Sequence, residues 1–295
     1  MADHPEESLN PLRDPSFAMT RSCKVSVIMP CFNHGEFLPE AVASVKNIQL
    51  DDIELIVVDD GSTDELTRAE VDKLTAGGTK IVRQENTGLG ATRNAGILAS
   101  CGEYIFPLDA DDRMRAGWIE TAISILDSDP RVGVVYGDAQ CFGTETHRWV
   151  VGPFELERLL NYNFIHCSAL YRRTIWDQNR GYETGMPVQG LEDWDFWLGA
   201  FAHGWRFEYL PRVFFDYRRH EQSMITRAAG FMDQINEFVA KKHGILYRQA
   251  WLSAVSNLQS KEVERRSIKW TVRNLVGLIR ERLKHKLHSR FGASV

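Results

Sequence analysis

Carboxylates placed at the ends of apolar runs are the residues of this chain best suited to chemistry. Tyr104-Ile105-Phe106-Pro107-Leu108 runs directly into Asp109-Ala110-Asp111-Asp112. An apolar run of this length closed by a turn predicts a buried strand. Its acids then stand at the strand's C-terminal edge, where open α/β sheets bind ligands. Three like charges in four residues repel unless a cation neutralises them. A hard divalent ion, Mg²⁺ or Mn²⁺, prefers oxygen ligands and brings substrate phosphates with it. The same residues could also be a solvated turn capping the next helix, since Asp is common at N-caps. A second run, Ile53-Glu54-Leu55-Ile56-Val57-Val58, ends in Asp59-Asp60-Gly61-Ser62-Thr63-Asp64. Parallel strands present their C-terminal ends on one edge, so both acidic turns would face one crevice. A third acidic group, Glu192, Asp193 and Asp195, opens a helical pattern over 191–202.

The elements that must position these acids alternate strand and helix. Val25-Ser26-Val27-Ile28-Met29 predicts a strand ending at Pro30, followed by the turn Cys31-Phe32-Asn33-His34-Gly35. Helical spacing covers 36–46 and the stretch to about Thr75, with a short strand over 80–83 between that helix and the next. Gly88-Leu89-Gly90-Ala91-Thr92-Arg93-Asn94-Ala95-Gly96 opens the helix before the acidic strand. This alternation implies parallel pairing in a doubly wound sheet. Arg93, at a glycine-rich helix start, could hold a phosphate, stabilise the acidic turns or be a solvated surface residue. Further on, strands are expected at 132–136, 149–151, 164–171, 206–209 and 213–217, with a loop over 181–190 and a polar loop from Arg218 to Ser223. His166 would lie on the 164–171 strand, facing the acceptor side or satisfied in the core. Trp194 and Trp197 are read as core. From about Ala228 the pattern is helical to the end.

At 295 residues with a formal net charge of −5, the chain is long enough for one large domain with an appendage, and its charge does not suggest a nucleic-acid partner. Five cysteines, an odd count without paired spacing, indicate neither a disulfide frame nor a zinc site, and a reducing cytosol fits best. No apolar run spans a bilayer, and the polar, proline-bearing residues 1–20 read as a disordered leader.

Taken in order, the motifs resemble the family two inverting nucleotide-sugar glycosyltransferases. They are Val25 to Asn33, Val57 to Asp64, Asn86-Thr87-Gly88 with Ala91 to Gly96, Leu108 to Asp112, Leu191 to Asp195, and Tyr217-Arg218-Arg219-His220. The resemblance implies a GT-A fold: a Rossmann-like mixed α/β sheet flanked by helices, over 21–227, with a nucleotide half to about 112, an acceptor half from 113, and a helical extension over 228–295. It implies a nucleoside-diphosphate sugar donor, Mn²⁺ or Mg²⁺, and a saccharide or lipid-linked acceptor of surface polysaccharide or glycolipid synthesis. Asp60 resembles the family's base-reading carboxylate. A carboxylate only accepts, so a ring N–H is required, which favours UDP, dTDP or GDP over CDP or ADP. Pro30, Phe32, Asn33, Asp59, Arg93 and Asp109 would line the nucleotide site. Asp111, Asp112 and His220 would take the metal. Asp193 would be the general base that accepts the acceptor's proton, with Glu192, Asp195, His166 and Arg218 in support. Other metal-dependent nucleotide-phosphate enzymes and a non-catalytic sugar-nucleotide binder are the alternatives. Arg113 stands where a haloacid-dehalogenase-like phosphatase wants Thr or Val.

Residues 261–290 carry ten Lys and Arg against three Glu, a net of +7, interleaved with Trp270, Leu275, Leu278, Ile279, Leu283 and Leu287. A basic amphipathic helix of this kind suits peripheral contact with an anionic membrane on its cytoplasmic face. It equally suits packing on the domain or on a second copy in a homo-oligomer.

Overall fold

The computed structural model describes residues 23–220 and 229–291, with backbone alone for 229, 274 and 277–291. The expected leader over 1–20 and the end of the polar loop, 221–223, lie outside the described residues. The chain divides into two compact units, Met1–Val239 and Ala240–Val295. The boundary read from the sequence was 227/228.

In the first unit, one nine-stranded sheet runs in the order β3 (Lys80–Arg83), β2 (Ile53–Asp59), β1 (Val25–Cys31), β4 (Tyr104–Pro107), β8 (Leu170–Arg172), β6 (Val132–Gly143), β9 (Arg206–Arg219) and β5 (Arg113–Met114), with β7 (His147–Trp149) paired to β6. β1 (Val25–Cys31) is buried along its whole length because parallel strands are covered on both faces. It pairs in parallel with β2 (Ile53–Asp59) and β4 (Tyr104–Pro107), and β2 pairs with β3 (Lys80–Arg83). The ladder with β4 stops at Ile28↔Pro107, so Pro30 and its missing N–H lie beyond it. Helices α1 (Leu38–Lys46), α2 (Glu65–Ala76) and α3 (Leu89–Leu98) supply the crossovers. α1 carries Pro39 in its first turn, where no backbone donor is needed. α2 is capped by Asp64, whose carboxylate accepts from Thr67 N at 2.8 Å.

Past β4 the sheet becomes mixed. β8 (Leu170–Arg172) runs antiparallel to β4 and to β6 (Val132–Gly143), while β9 (Arg206–Arg219) is parallel to β6. β5 (Arg113–Met114) closes the far edge against β9, and β7 (His147–Trp149) pairs with β6. The indole of Trp118, at the start of α4 (Ile119–Ser128), stacks on Phe214 with centroids 3.9 Å apart and donates to the Phe214 carbonyl at 2.9 Å. That contact binds the helix to β9. α5 (Leu156–Asn161), α6 (Arg173–Asn179) and α7 (Glu192–Ala202) complete this half.

Three expectations change here: the strand expected over 149–151 is β7, His147–Trp149. The two short strands over 206–217 are one strand with register irregularities near Pro211, which a proline in a ladder enforces. The strand expected over 164–171 exists only from Leu170. Before it the backbone turns: Ser168 N donates to His166 Nδ1 at 3.1 Å, and Ala169 N to the Cys167 carbonyl at 2.8 Å. The run is apolar because it is a buried loop, held through the Trp197 indole, which donates to the Ile165 carbonyl at 2.9 Å.

After β9 come a 3₁₀ turn (Ala229–Phe231), α8 (Met232–Lys242) and the 48-residue α9 (Gly244–Phe291). Among the described residues no helix is long and apolar enough to cross a membrane.

Candidate active site

The parallel register Cys31↔Asp59 and Ile28↔Pro107 brings Pro30, Phe32 and Asn33, the Asp59–Asp60 turn and the Asp109–Asp112 turn to one edge of the sheet. Asn33 takes the left-handed conformation (φ 56°), which Asn tolerates better than most residues. Its side-chain oxygen accepts from Thr63 N at 2.8 Å, and its backbone N–H donates to Ser62 Oγ at 3.1 Å. The loops after β1 and β2 are thereby stitched together, leaving the Phe32 ring 41% exposed beside them.

In the first acidic turn both carboxylates are held by the chain's own amides. Asp59 accepts from Ser62 N at 3.0 Å and closes its turn, as the turn reading of this stretch expected. Asp60 accepts from Gln84 Nε2 at 2.7 Å, Thr87 N at 2.9 Å and Gly88 N at 3.0 Å. Gly88 needs its own backbone freedom (φ +91°) to present that N–H. The anion at the glycine-rich start of α3 is therefore Asp60 itself. One lone pair on its Oδ2 is still unassigned among these bonds.

The second acidic turn is held by groups from distant parts of the chain. Arg93 is neither on the surface nor reaching toward solvent: at 1% exposure it joins Asp109 (Nη2 to Oδ1, 2.9 Å), Glu192 and the Cys167 sulfur (3.1 Å). Its burial excludes a solvated surface residue, and its ion pairs fit a part in stabilising the acids. Arg218 donates its backbone N–H to Asp112 Oδ1 at 2.8 Å and its Nε to the Asp111 carbonyl at 2.8 Å, and pairs with Glu40. His220 Nε2 lies 2.9 Å from Asp111 Oδ2. His166, in the loop before β8 rather than on a strand, lies 4.0 Å from Asp109 Oδ2 and packs against Phe215 and Tyr217. Burial pushes its imidazole down to about 4, against the pull of Asp109, so it is neutral at neutral pH.

Asp111, Asp112 and His220 carry donors of the kinds a divalent cation takes, although their ligand atoms do not all lie within 4.8 Å of one another. Asp112 Oδ2 is buried with no hydrogen-bond partner. Burial, with Asp111 and Asp109 beside it, pushes its carboxyl well above the usual range. The charge needed to relieve that crowding is positive, and Asp111, Asp112 and His220 offer oxygen and nitrogen donors for it. By contrast, the nearby group of Asp109, His166 and Cys167 already has the Arg93 guanidinium at its centre, and burial keeps the Cys167 thiol protonated.

Arg93 also fixes where the third acidic group stands. Through Glu192 it holds the first turn of α7 within one side chain of Asp109. The neighbouring Asp193 is buried, accepting from Trp194 N at 2.9 Å. Burial and then Glu192 raise its carboxyl to about 7, while Arg93 and a hydrogen bond with Asn163 pull it down. Asp195 is likewise buried. Trp194 and Trp197 belong to the core, at 1% and 0% exposure.

The glycosyl transferase family 2 profile matches residues 26–185, from β1 through α6. The chain belongs to that family. It is a glycosyltransferase with a GT-A-like mixed sheet. It is similar to a PGL/p-HBAD biosynthesis glycosyltransferase of Mycobacterium bovis, 31% identical over 182 residues, covering 60% of this chain and 70% of the relative. Its fold is similar to S. aureus TarS 1–349 solved with UDP-GlcNAc (TM-score 0.57, 21% identity, 69% of this chain and 60% of that one). It is also similar to the mannosyltransferase PcManGT of Pyrobaculum calidifontis solved with GDP-Man and Mn²⁺ (TM-score 0.55, 21% identity, 79% and 70%). The chain thus spans about three fifths of the TarS fragment it resembles.

Gln84, Cys167, Asn163 and Glu40 shape the site without having been singled out in the sequence. Each is a common residue on a strand end, loop or helix, and only three-dimensional neighbours reveal its part.

Proposed function

We propose that this glycosyltransferase moves a sugar from a nucleoside-diphosphate sugar to an acceptor hydroxyl by a single inverting displacement, with Mn²⁺ or Mg²⁺ bound. The observation that carries this reading is the Arg93 bridge, which sets a base-like carboxylate, Asp193, beside a cation-demanding acidic turn. Asp60, with Pro30 and Phe32 nearby, reads the base; its remaining lone pair suits one ring N–H, which favours UDP, dTDP or GDP. Asp111, Asp112 and His220 would hold the metal, which when bound would offset the charge developing on the leaving diphosphate. Asp193 takes the acceptor's proton as the new bond forms, and a carboxyl near 7 is matched to that task at neutral pH. Glu192 and Arg93 hold Asp193 in place, while His166, flanked by Trp149 and Tyr217 with centroids 6.3 and 5.1 Å away, forms an aromatic wall on the acceptor side. Arg218 braces the acidic turn from behind.

The acceptor we infer is a saccharide or lipid-linked saccharide. α9 exposes Trp251, Leu258, Trp270 and Leu275 among basic residues, which suits an anionic lipid surface. The basic side chains over 277–290 lie outside the described residues. Loss of liposome co-sedimentation on removing 261–295 supports this; unchanged binding removes it.

A thermal-shift panel of UDP, GDP, dTDP and CDP, each with and without Mn²⁺ or Mg²⁺, tests the donor reading, because a ligand stabilises the state it binds. The expected result is metal-dependent stabilisation by one of the first three. Equal, metal-independent responses to all four overturn it.

A further inference from the structure

The cysteine count and spacing give no reason to expect a pair, yet the fold makes one. Cys23 precedes β1 and Cys101 lies between α3 and β4; the parallel register Val25↔Tyr104 draws the two segments together. Their sulfurs are 2.9 Å apart. The approach is built in. Glu54 Oε1 accepts from Cys23 Sγ at 3.2 Å, Ser26 Oγ at 2.5 Å and Cys101 N at 2.6 Å, and Gly102 N donates to Ser26 Oγ at 2.7 Å. A β-carbon at Gly102 would collide with Ser26, so the chain passes there only because residue 102 has no side chain. Cys101 is exposed and Cys23 half-buried, whereas Cys31, Cys141 and Cys167 are buried. The pair sits at the N-terminal end of β1 and β4, the end away from the acidic turns, so it serves no step of the transfer reaction and does not depend on that reading.

Cys23, Glu54 and Cys101 also have the composition of a metal cluster. The carboxylate argues against it: Glu54 Oε1 already accepts from Ser26 Oγ and Cys101 N as well as Cys23 Sγ, which uses the lone pairs an ion would need. At 2.9 Å the sulfurs are in contact without being bonded.

We propose that Cys23 and Cys101 are a reversible redox pair, oxidised by exchange with a small-molecule disulfide such as glutathione disulfide. The exposed Cys101 sulfur attacks first, as its thiolate, forming a mixed disulfide and releasing one glutathione thiolate. Cys23 Sγ then attacks the Cys101 sulfur, loses its proton to Glu54 and so to solvent, and expels the second glutathione. Two protein thiols are oxidised to one disulfide and one glutathione disulfide is reduced to two thiols. The bond ties the segment before β1 to the α3–β4 connection, positions separated by 78 in sequence, and constrains the unfolded chain accordingly. The reduced and oxidised proteins therefore differ in stability while sharing one active site.

The test incubates the full chain with glutathione disulfide, then maps its peptides without reduction and measures thermal unfolding. The expected result is a Cys23–Cys101 linked peptide that dithiothreitol releases, with the unfolding midpoint raised by several degrees. The linked peptide and the midpoint rise both disappear in Cys23→Ser and in Cys101→Ser, whose reduced forms unfold as wild type does. Glutathione retained on Cys101 without cross-linking, a cross-link between other cysteines, or stoichiometric zinc uptake by the reduced protein that blocks both thiols overturns the proposal.

Discussion

The two acidic turns look alike in sequence, and the fold uses them differently. Asp59 and Asp60 end β2, and Asp109 to Asp112 follow β4, on the same edge of the same sheet. The first turn is satisfied by amides close to it: Ser62 N, Thr87 N and Gly88 N. The second draws on the Arg93 and His220 side chains and on the backbone N–H of Arg218, from α3 and the end of β9 onward, and still leaves Asp112 Oδ2 bare. Backbone donors fix a carboxylate's position and consume its lone pairs. Side chains brought in from elsewhere in the chain can yield to a competing ion. A strand-end carboxylate is therefore best judged by the partners it lacks: the turn that its own loop cannot satisfy is the one suited to a metal.

Asp193 extends the comparison, since it has one backbone amide, Trp194 N, the Asn163 side chain and a raised carboxyl. Replacing it with Asn should give the largest effect, a loss of roughly 10²–10⁴-fold in kcat, with nucleotide-induced stabilisation retained. In the wild type, kcat/KM should climb with pH and level off above about 7 as the base ionises. The groups facing Asp193 are Glu192, which raises its carboxyl, Arg93 and Asn163, which lower it, and Cys167, held as a neutral thiol. The same shift has a stability sign. The folded carboxyl holds its proton to about 7, the unfolded one only to about 4. Stability from this group is therefore complete below about pH 4 and is lost as pH rises to about 7. Chemical denaturation across that range should show the decline in the wild type and a flatter profile in Asp193→Asn. A profile unchanged by the substitution would remove Asp193 from this role.

Next in size is Arg93→Met, which tests the claim that the second turn depends on remote cations. It strips Asp109 and Glu192 of a buried partner and should cost about 3–5 kcal/mol, read from denaturant midpoints. Removing Glu192 as well, in Arg93→Met/Glu192→Gln, should recover part of that cost, because one fewer carboxylate is stranded. An Arg93→Met variant as stable as wild type would mean that the bridge contributes nothing.

A pair of substitutions then sets the turns directly against each other. Asp60→Asn weakens the acceptor for two backbone amides and should destabilise the protein without ligand by about 1–3 kcal/mol. Asp111→Asn removes no such bond, so it should leave that stability nearly unchanged while abolishing the metal-dependent part of nucleotide stabilisation. The comparison fails if the two variants trade these phenotypes.

How much of this could be read in the chain depends on the range of the contacts. β1, β2 and β4 were legible, with both acidic turns, because each is an apolar run closed by polar punctuation, a local signal. The 164–169 loop reads as the first part of a strand: burial makes loop and strand equally apolar, and the His166 ring that turns the backbone leaves no periodic trace. Arg93 carried the same ambiguity, since a guanidinium beside glycines suits solvent, phosphate or a buried bridge until Asp109 and Glu192 are brought to it. The closeness of Cys23 and Cys101 is purely a product of strand register. β9 looked like two strands because Pro211 interrupts a pattern that the ladder itself tolerates with a bulge.

The smallest expected effect separates shape from bonding in the first turn. Asn33 is left-handed (φ 56°) and its amide oxygen accepts from Thr63 N. Asn33→Ala should lose both the tolerance for that conformation and the bond, costing about 1–2 kcal/mol. Asn33→Gly restores the conformation and not the bond. If the loop after β1 is held mainly by backbone shape, the glycine variant should be as stable as wild type. If the side-chain amide does the holding, as the satisfied character of this turn requires, glycine should recover only a minor part of the loss, and Phe32 beside it should become more mobile. Full recovery by glycine would show that the first turn, too, relies on something other than local hydrogen bonds, and the contrast with the second would have to be redrawn.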